Sequence, residues 1–199
     1  MIDMEEILKN LRARGFDATY FQSGEEAVGY LSAQLHGETI GFGGSMTLET
    51  LGLYDRLSEE NAVYWHWRKN AEDERLHAAA AKVYITSANA LAQTGEIINI
   101  DGSGNRVAST LYGKDKVYII VGVNKLAEDY DKALWRARNV AAPLNARRLN
   151  RNTPCVKGEL KCHDCKSGER ICRSLVVLWN KMSGMNQVEV IIINETLGY

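Results

Sequence analysis

The sequence predicts an α/β protein with a mostly parallel sheet that helices cover on both faces. Amphipathic helical segments alternate with short apolar segments through most of the 199 residues, and this alternation is typical of parallel sheets. Residues 117–121 (VYIIV) are apolar without a break, as expected for a central strand buried on both faces. A chain of this length with 45% hydrophobic residues can bury one core, so we predict a single domain over residues 1–199.

The first elements are predicted from helix and strand signals read in chain order. Ile7 and Leu11 lie at helical spacing after an acidic first turn, and Gly15 can end that helix in a left-handed conformation. Ser23 and Glu26 form the S-x-x-E pattern of a capping box at the start of a second helix. The predicted elements are a helix at 4–14, a strand at 17–21, a helix from Ser23 that Gly37 ends, a strand at 38–42, a helix at 46–51, a strand at 62–67 and a helix at 71–81.

The second half continues the alternation of strands and helices. The predicted elements are strands at 83–86 and 97–100, a helix at 106–112, a strand at 116–122, a helix at 127–141 and strands at 174–179 and 188–193. Pro143 and Pro154 are the only prolines, and they flank the one conspicuous irregular segment.

Three glycine-containing or polar loops follow predicted strands. Ligands of open α/β sheets bind beyond the carboxyl ends of the strands, where glycine lets backbone N–H groups approach an anion and the next helix offers its positive end. We predict a small anionic ligand there, a carboxylate or a phosphate; plain packing turns, a turn capped by Asp101 and a solvated lysine are the alternatives. Neither a Walker loop nor the dinucleotide fingerprint is present. The predicted ligand-binding residues of these loops are Gly43, Gly44, Ser45, Thr47, Asp101, Gly102, Asn105, Arg106, Asn124 and Lys125.

All four cysteines lie in one loop at about 150–173, as Cys155, Cys162, Cys165 and Cys172, with the spacing C-x6-C-x2-C-x6-C. Metal ligands must meet in space, and nearby cations favour the thiolate form that binds metals. Residues 145–173 carry eight lysines and arginines against three acidic residues. We predict a metal site, with a [4Fe–4S] cluster favoured over zinc because the spacing contains one tight pair rather than two. Two disulfides or four free thiols are the alternatives, and His163 could replace one ligand.

The net charge and the distribution of apolar residues limit the classes of partner that we expect. The net charge is −1 without long like-charge blocks, so general attraction to nucleic acid or to anionic membranes is not expected. The first residues lack signal-peptide features and no apolar run approaches the length of a membrane helix, so a cytoplasmic location is predicted. The aromatic segment 65–67 (WHW) could stack a planar ligand, but packing in the core is favoured.

Several motifs taken together carry a family resemblance. They are residues 43–47 (GGSMT), 86–90 (TSANA), 95–108 (GEIINIDGSGNRVA), 121–125 (VGVNK), 139–146 (NVAAPLNA) and 194–199 (NETLGY). The combination closely resembles the LUD-domain family of lactate utilisation proteins, formerly a domain of unknown function. The cysteine loop looks like the short, cysteine-bearing branch of that family. The resemblance implies the fold shared by ribose-5-phosphate isomerase, glucosamine-6-phosphate deaminase and CoA transferases.

The resemblance also suggests roles for two residues. In the sugar-phosphate isomerase relatives, an acidic residue in a Gly-Ala-Asp segment transfers a proton, and a lysine after a late strand helps to hold the ligand anion. Asn89 stands at the first position and Lys125 at the second, and Asn89 joins the predicted ligand-binding residues. Because an amide does not exchange a proton near neutral pH, isomerase chemistry through Asn89 is not expected. Asp101 is the alternative carboxylate, and no residue is assigned as the glutamate nucleophile of a CoA transferase.

Two functional hypotheses follow from the sequence. The first is a redox-associated component of lactate oxidation to pyruvate, part of an oxidoreductase system, with an iron–sulfur protein as its partner. The second is a non-catalytic subunit that senses a ligand or supports assembly, with a structural zinc loop. A homo-oligomer is compatible with either hypothesis.

Overall fold

The predicted α/β class is confirmed in a computed structural model, which describes residues 2–69 and 73–199. The helices are α1 (Met4–Ala13), α2 (Gly24–Gln34), α3 (Met46–Thr50), α4 (Leu53–Leu57), α5 (Glu74–Ala80), α6 (Asn105–Leu111), α7 (Tyr130–Arg136) and α8 (Ala142–Arg148). The strands are β1 (Asp17–Phe21), β2 (Thr39–Phe42), β3 (Ala62–Tyr64), β4 (Val83–Thr86), β5 (Ala90–Ala92), β6 (Ile97–Asp101), β7 (Lys116–Gly122), β8 (Leu126–Ala127), β9 (Ser174–Leu178) and β10 (Gln187–Ile193). Residues 71 and 72 of the predicted helix at 71–81 lie outside the described residues.

The strands form two sheets. Six parallel strands form the main sheet in the order β1-β10-β7-β4-β2-β3. A second sheet of four strands has the order β8-β5-β6-β9, with antiparallel pairing of β6 to both β5 and β9. The predicted strands at 97–100 and 174–179 therefore belong to this second sheet rather than to the parallel one. Its strands β5 and β8 have only three and two residues, too few to show a hydrophobic period.

The central strand β7 is buried on both faces of the main sheet, as predicted. Tyr118 and Ile120 pack into a core with α2, α3 and α4, whereas Val117, Ile119 and Val121 pack into a core with α1. The alternation follows from the two-residue period of a strand. Helix α1 contributes Ile7 and Leu11 to the second core, and both side chains are fully buried. Helices thus cover both faces of the sheet.

The predicted helix starts are confirmed by their capping contacts. The Ser23 hydroxyl accepts a hydrogen bond from the Glu26 backbone N–H at 3.2 Å. The Glu26 carboxylate accepts from the backbone N–H of Gln22 at 2.9 Å, one residue before the usual capping-box partner. Gly15, with a φ of 81°, follows the end of α1 in the left-handed conformation that glycine adopts without strain.

The predicted strand at 62–67 ends at Tyr64, because the next backbone N–H finds a side-chain partner. The Trp65 N–H donates to the buried Glu74 carboxylate at 2.8 Å instead of to a neighbouring strand. The Trp65 ring is fully buried and lies 5.3 Å from the rings of both Phe42 and Trp67. Trp65 is therefore a core residue, as the sequence favoured.

The helix predicted at 127–141 starts later and continues further. The Asp129 carboxylate caps α7 by accepting from the Lys132 N–H at 2.8 Å. A π-helical turn (Ala137–Ala141) then leads directly into α8, with Pro143 in its first turn. Proline is tolerated there because the first-turn N–H groups lack helical partners. The chain after Pro143 is consequently helical to Arg148, where irregular structure was expected.

Within the described part of the chain, none of the helices combines the length and apolar character needed to span a membrane.

Candidate functional site

A cleft of about 620 Å³ opens at the carboxyl ends of the parallel strands. Its walls come from the loops after β2, β3, β4, β6 and β7, from α5 and α8, and from the cysteine loop. This is the edge at which the sequence placed a ligand. Eight predicted residues line the cleft: Gly44, Ser45, Asn89, Asp101, Gly102, Asn105, Arg106 and Lys125. Gly43, Thr47 and Asn124 lie behind these residues and support them.

Lys125 lies at the floor of the cleft and is 4% exposed. A 3₁₀ turn directly after β7 places it there. Its ammonium donates to the hydroxyls of Thr47 at 2.8 Å and Ser87 at 2.9 Å, and to the Ala88 carbonyl at 3.2 Å. Burial lowers the Lys125 pKa to about 7, with further lowering by the charges of Arg136 and Arg106. The charge of this side chain therefore changes close to neutral pH.

Arg106 is mostly buried, with 12% of its side chain exposed, and links β6 to the loop after β4. Its guanidinium donates to the Ser87 carbonyl at 2.9 Å, the Ile100 carbonyl at 2.8 Å and the Asn99 side chain at 2.5 Å. Its Nε lies 3.3 Å from Asp101. Burial lowers the Arg106 pKa, and Asp101 opposes that shift. Most of its donors are thus directed at the protein itself.

Asp101 holds the second glycine-containing loop in the tight turn that the sequence left open as an alternative. One carboxylate oxygen accepts from the N–H groups of Ser103 at 3.0 Å and Gly104 at 2.7 Å, and the other faces Arg106. At Gly102, a Cβ atom would lie 2.7 Å from the Ile171 carbonyl of the cysteine loop. This turn therefore joins the sheet to that loop.

The two amide side chains also support the backbone. The Asn89 side-chain oxygen accepts from the Ile100 N–H at 2.7 Å. Asn124 accepts from the Leu197 N–H at 3.0 Å and donates to the Gly198 carbonyl at 3.3 Å. Asn89 thus links the loop after β4 to β6, and Asn124 fastens the C-terminal segment beside the cleft.

The first glycine loop is shaped by close packing. A Cβ atom at Gly43 would lie 2.7 Å from the Thr86 hydroxyl, and one at Gly44 would lie 3.2 Å from the Trp67 ring. The Ser45 hydroxyl caps α3 by accepting from the Leu48 N–H at 3.3 Å. Since α3 has only five residues, its dipole contributes little to the binding of an anion.

The structure adds five cations to Arg106 and Lys125, the two that the sequence predicted. Seven lysine and arginine side chains line the cleft: Arg75, Arg106, Lys125, Arg148, Arg151, Arg170 and Arg173. Among the residues that the structure describes, two side-chain carboxylates join them, and both are engaged. Asp101 holds its turn, and Glu169 accepts from the Asn152 N–H at 3.0 Å. The basic character of residues 145–173 was the signal that could have identified four of the arginines, Arg148, Arg151, Arg170 and Arg173, as ligand-binding candidates.

Arg148 is held in position although it is exposed. Its guanidinium carbon lies 4.8 Å from the centre of the Trp67 ring, and two of its nitrogens donate to the Asn145 side chain at 3.1 and 2.9 Å. Trp67 in turn stacks on Trp65. The aromatic segment therefore supports an arginine rather than presenting a free ring to a planar ligand.

The cysteine loop has no helix or strand between residues 157 and 173. Its four thiols are free and half-buried. Arg170 donates to the carbonyls of Cys165 at 2.7 Å and Cys172 at 2.8 Å, and Arg138 lies 3.7 Å from the Cys162 sulfur. Among residues 2–69 and 73–199, no group of three or more His, Cys, Asp or Glu side chains is arranged to hold a metal ion. The thiols as placed therefore do not fit a four-thiolate site without rearrangement of the loop.

The parallel sheet and the cleft beyond its carboxyl ends define the protein as an α/β domain. Residues 4–193 match the LUD domain, so the chain belongs to the LUD-domain family, which is associated with lactate utilisation.

The fold has a solved counterpart. A crystal structure of a DUF162 family protein from Deinococcus radiodurans has a TM-score of 0.55 and 16% sequence identity, and the similarity covers 97% of this chain and 99% of that one. DUF162 is the former name of the LUD family. At this identity the similarity shows the shared fold. The chain has no significant match among curated protein sequences.

Proposed function

We propose that the protein binds a small anionic ligand, a carboxylate or a phosphate, in this cleft as a component of lactate utilisation. The supporting observation is the charge of the cleft: seven cationic side chains line it, and its two carboxylates already have partners. A concave surface lined by one sign of charge concentrates ligands of the opposite sign. LUD-family membership supplies the link to lactate utilisation.

Lys125 holds the anion at the floor of the cleft in this proposal. An anion that enters beside the ammonium stabilises its charged form and so raises its pKa from about 7. Binding at neutral pH therefore takes up part of a proton. The Ser87 hydroxyl lines the cleft beside Lys125 and offers a further hydrogen bond to the ligand.

The test is isothermal titration calorimetry with L-lactate, pyruvate and inorganic phosphate. We expect Lys125→Met to weaken binding about tenfold or more, the factor typical for loss of a charge-assisted contact. Lys114→Met is the matched control, because Lys114 is also 4% exposed but contacts the Ala81 carbonyl at 2.8 Å, beyond the end of α5. The proposal is wrong if none of the three anions binds the wild type, or if both variants bind equally well.

We also propose that the cysteine loop acquires a [4Fe–4S] cluster, with zinc as the alternative. Three of the four thiols lie in the irregular residues 157–173, Cys155 lies in a single 3₁₀ turn (Pro154–Val156), and none is in a disulfide. The loop can therefore rearrange without breaking an α-helix or a strand. A redox role with an iron–sulfur partner protein depends on this cluster. Iron and acid-labile sulfide near four per chain, in protein purified without oxygen, would support it. One zinc per chain in a colourless protein would support the structural alternative. Absence of iron, sulfide and zinc would overturn both the cluster and the zinc site.

A non-catalytic role in ligand sensing or assembly is the second candidate function. It is favoured because the carboxylates of the cleft are engaged and Asn89 uses its side-chain oxygen on a backbone N–H. A general base needs a free acceptor beside the substrate. Turnover of L-lactate with an artificial electron acceptor by the purified chain alone would contradict this second function.

A further inference from the structure

Five cations of the cleft have no carboxylate within ion-pair distance among the described residues. They are Lys125 at the floor and Arg75, Arg148, Arg151 and Arg173 nearer the surface. The other two cations of the cleft do have such partners, since Arg106 faces Asp101 and Arg170 lies 3.2 Å from Asp164. Like charges gathered in one concave site repel one another, even where water screens them. A single negative charge would neutralise only a small part of this group.

The cleft is also large for a three-carbon acid. Its volume of about 620 Å³ falls in the range of sites that enclose whole cofactors or drug-sized ligands. Lactate or pyruvate beside Lys125 would leave the outer arginines without an anion. The volume and the charge therefore both indicate a larger ligand with separate anionic groups.

Two of the outer arginines are positioned before any ligand binds. Arg148 is fixed between the Trp67 ring and the Asn145 side chain, which leaves part of its guanidinium fork for a ligand. Arg173 is tied to the second sheet by its backbone N–H, which donates to the Asp101 carbonyl at 2.8 Å, and its side chain is held by donation from Nε to the Arg170 carbonyl at 3.2 Å. Positioning of this kind reduces the entropy lost when an anion binds.

We propose that the ligand is an organic polyanion with at least two anionic groups, one against Lys125 and one against the outer arginines. This inference depends on the proposed anion-binding function and names the class of ligand that the site takes. Phosphate esters and polycarboxylates share the required chemistry, and the arms of the test separate them.

The test compares pyrophosphate, citrate and L-lactate by calorimetry at one pH and one ionic strength. We expect pyrophosphate or citrate to bind at least about tenfold more tightly than lactate. Arg148→Gln should weaken polyanion binding about fivefold to tenfold and leave lactate binding almost unchanged. Arg56→Gln is the matched control, because Arg56 is an exposed arginine on α4 that pairs with Glu59 outside the cleft.

The outcomes separate this inference from the function on which it depends. Tighter pyrophosphate binding identifies a phosphate-bearing ligand, and tighter citrate binding identifies a polycarboxylate. Lactate binding as tight as that of both polyanions, or an Arg148→Gln variant equal to Arg56→Gln, overturns the inference and leaves the anion site standing. Failure of all three anions to bind overturns both.

Discussion

Arg106 and Lys125 are both buried cations beside the cleft, but their contacts differ. Arg106 donates to four acceptors on β6 and the loop after β4, and pairs with Asp101. Lys125 contacts two hydroxyls and one carbonyl without a carboxylate among the described residues. Arg106 therefore maintains the shape of the cleft, whereas Lys125 supplies a charge that a ligand can use.

Replacing Arg106 tests its role as a link between β6 and the loop after β4. We expect Arg106→Lys to lower the free energy of unfolding by about 3 kcal/mol, because a lysine cannot reach the same acceptors and leaves buried polar groups unpaired. Urea denaturation measures the change. The exposed Arg148 provides the comparison, since Arg148→Gln should change stability by no more than about 0.5 kcal/mol. Equal stabilities of the two variants would contradict the assignment.

Lys125 should make stability depend on pH. Its pKa is about 7 in the folded chain and 10.5 in the unfolded chain, so between these values the unfolded chain binds more protons. The free energy of unfolding should therefore rise between pH 7 and 9, by up to about 1.4 kcal/mol per pH unit from this group. Urea denaturation of wild type and Lys125→Met across this range isolates the effect. Identical pH slopes would show that Lys125 is charged in the folded protein at pH 9.

At the scale of elements, the junction between β7 and its 3₁₀ turn places Lys125. At Gly122, the last residue of β7, a Cβ atom would lie 2.4 Å from the Glu195 carbonyl and 2.8 Å from the Leu197 nitrogen. The glycine therefore lets the C-terminal segment pack against the strand end, where Asn124 fastens it.

Gly122→Ala should lower the free energy of unfolding by about 2 kcal/mol, the usual cost of overpacking. Gly29→Ala, in the middle of α2, is the matched control because no atom beyond its chain neighbours and the helix's own backbone lies within 4 Å of the added methyl group. The control should gain about 0.5–1 kcal/mol from reduced backbone entropy and higher helix propensity. Both changes are measured by urea denaturation. A Gly122→Ala protein as stable as the wild type would show that the C-terminal segment moves at little cost.

At the scale of the whole molecule, the cleft is built from two parts with different stability. The parallel sheet provides its floor and contains the two large cores. The cysteine loop provides one wall through residues 168–171 and 173, yet residues 157–173 bury no side chain in a core. The loop therefore affects ligand binding more than folding.

A loop replacement tests this division. Exchanging residues 157–170 for a glycine–serine linker of equal length should change the free energy of unfolding by no more than about 1 kcal/mol, because exposed loops contribute few buried contacts. Phosphate affinity should fall severalfold, since Arg170 and one wall of the cleft are removed. Calorimetry and urea denaturation provide both measurements. Unchanged affinity, or loss of cooperative unfolding, would contradict the division.

Local patterns in the sequence determined the α/β class, the strands at 17–21 and 116–122, the capping residue Ser23 and the family resemblance. The structure alone identified Asp129 as the cap of α7. Strands and helix starts can be predicted because they depend on side-chain periodicity and on contacts between near neighbours.

The tertiary structure alone decided the second sheet, the π-helical turn and the composition of the cleft. Strands as short as β5 and β8 show no period, so only their partners identify them. The cations of the cleft come from α5, α6, the turn after β7, α8 and the cysteine loop, far apart in the chain. Spacing along the sequence does not predict that these cations lie close together. They do so because packing of the cores brings the strand ends and loops together in space.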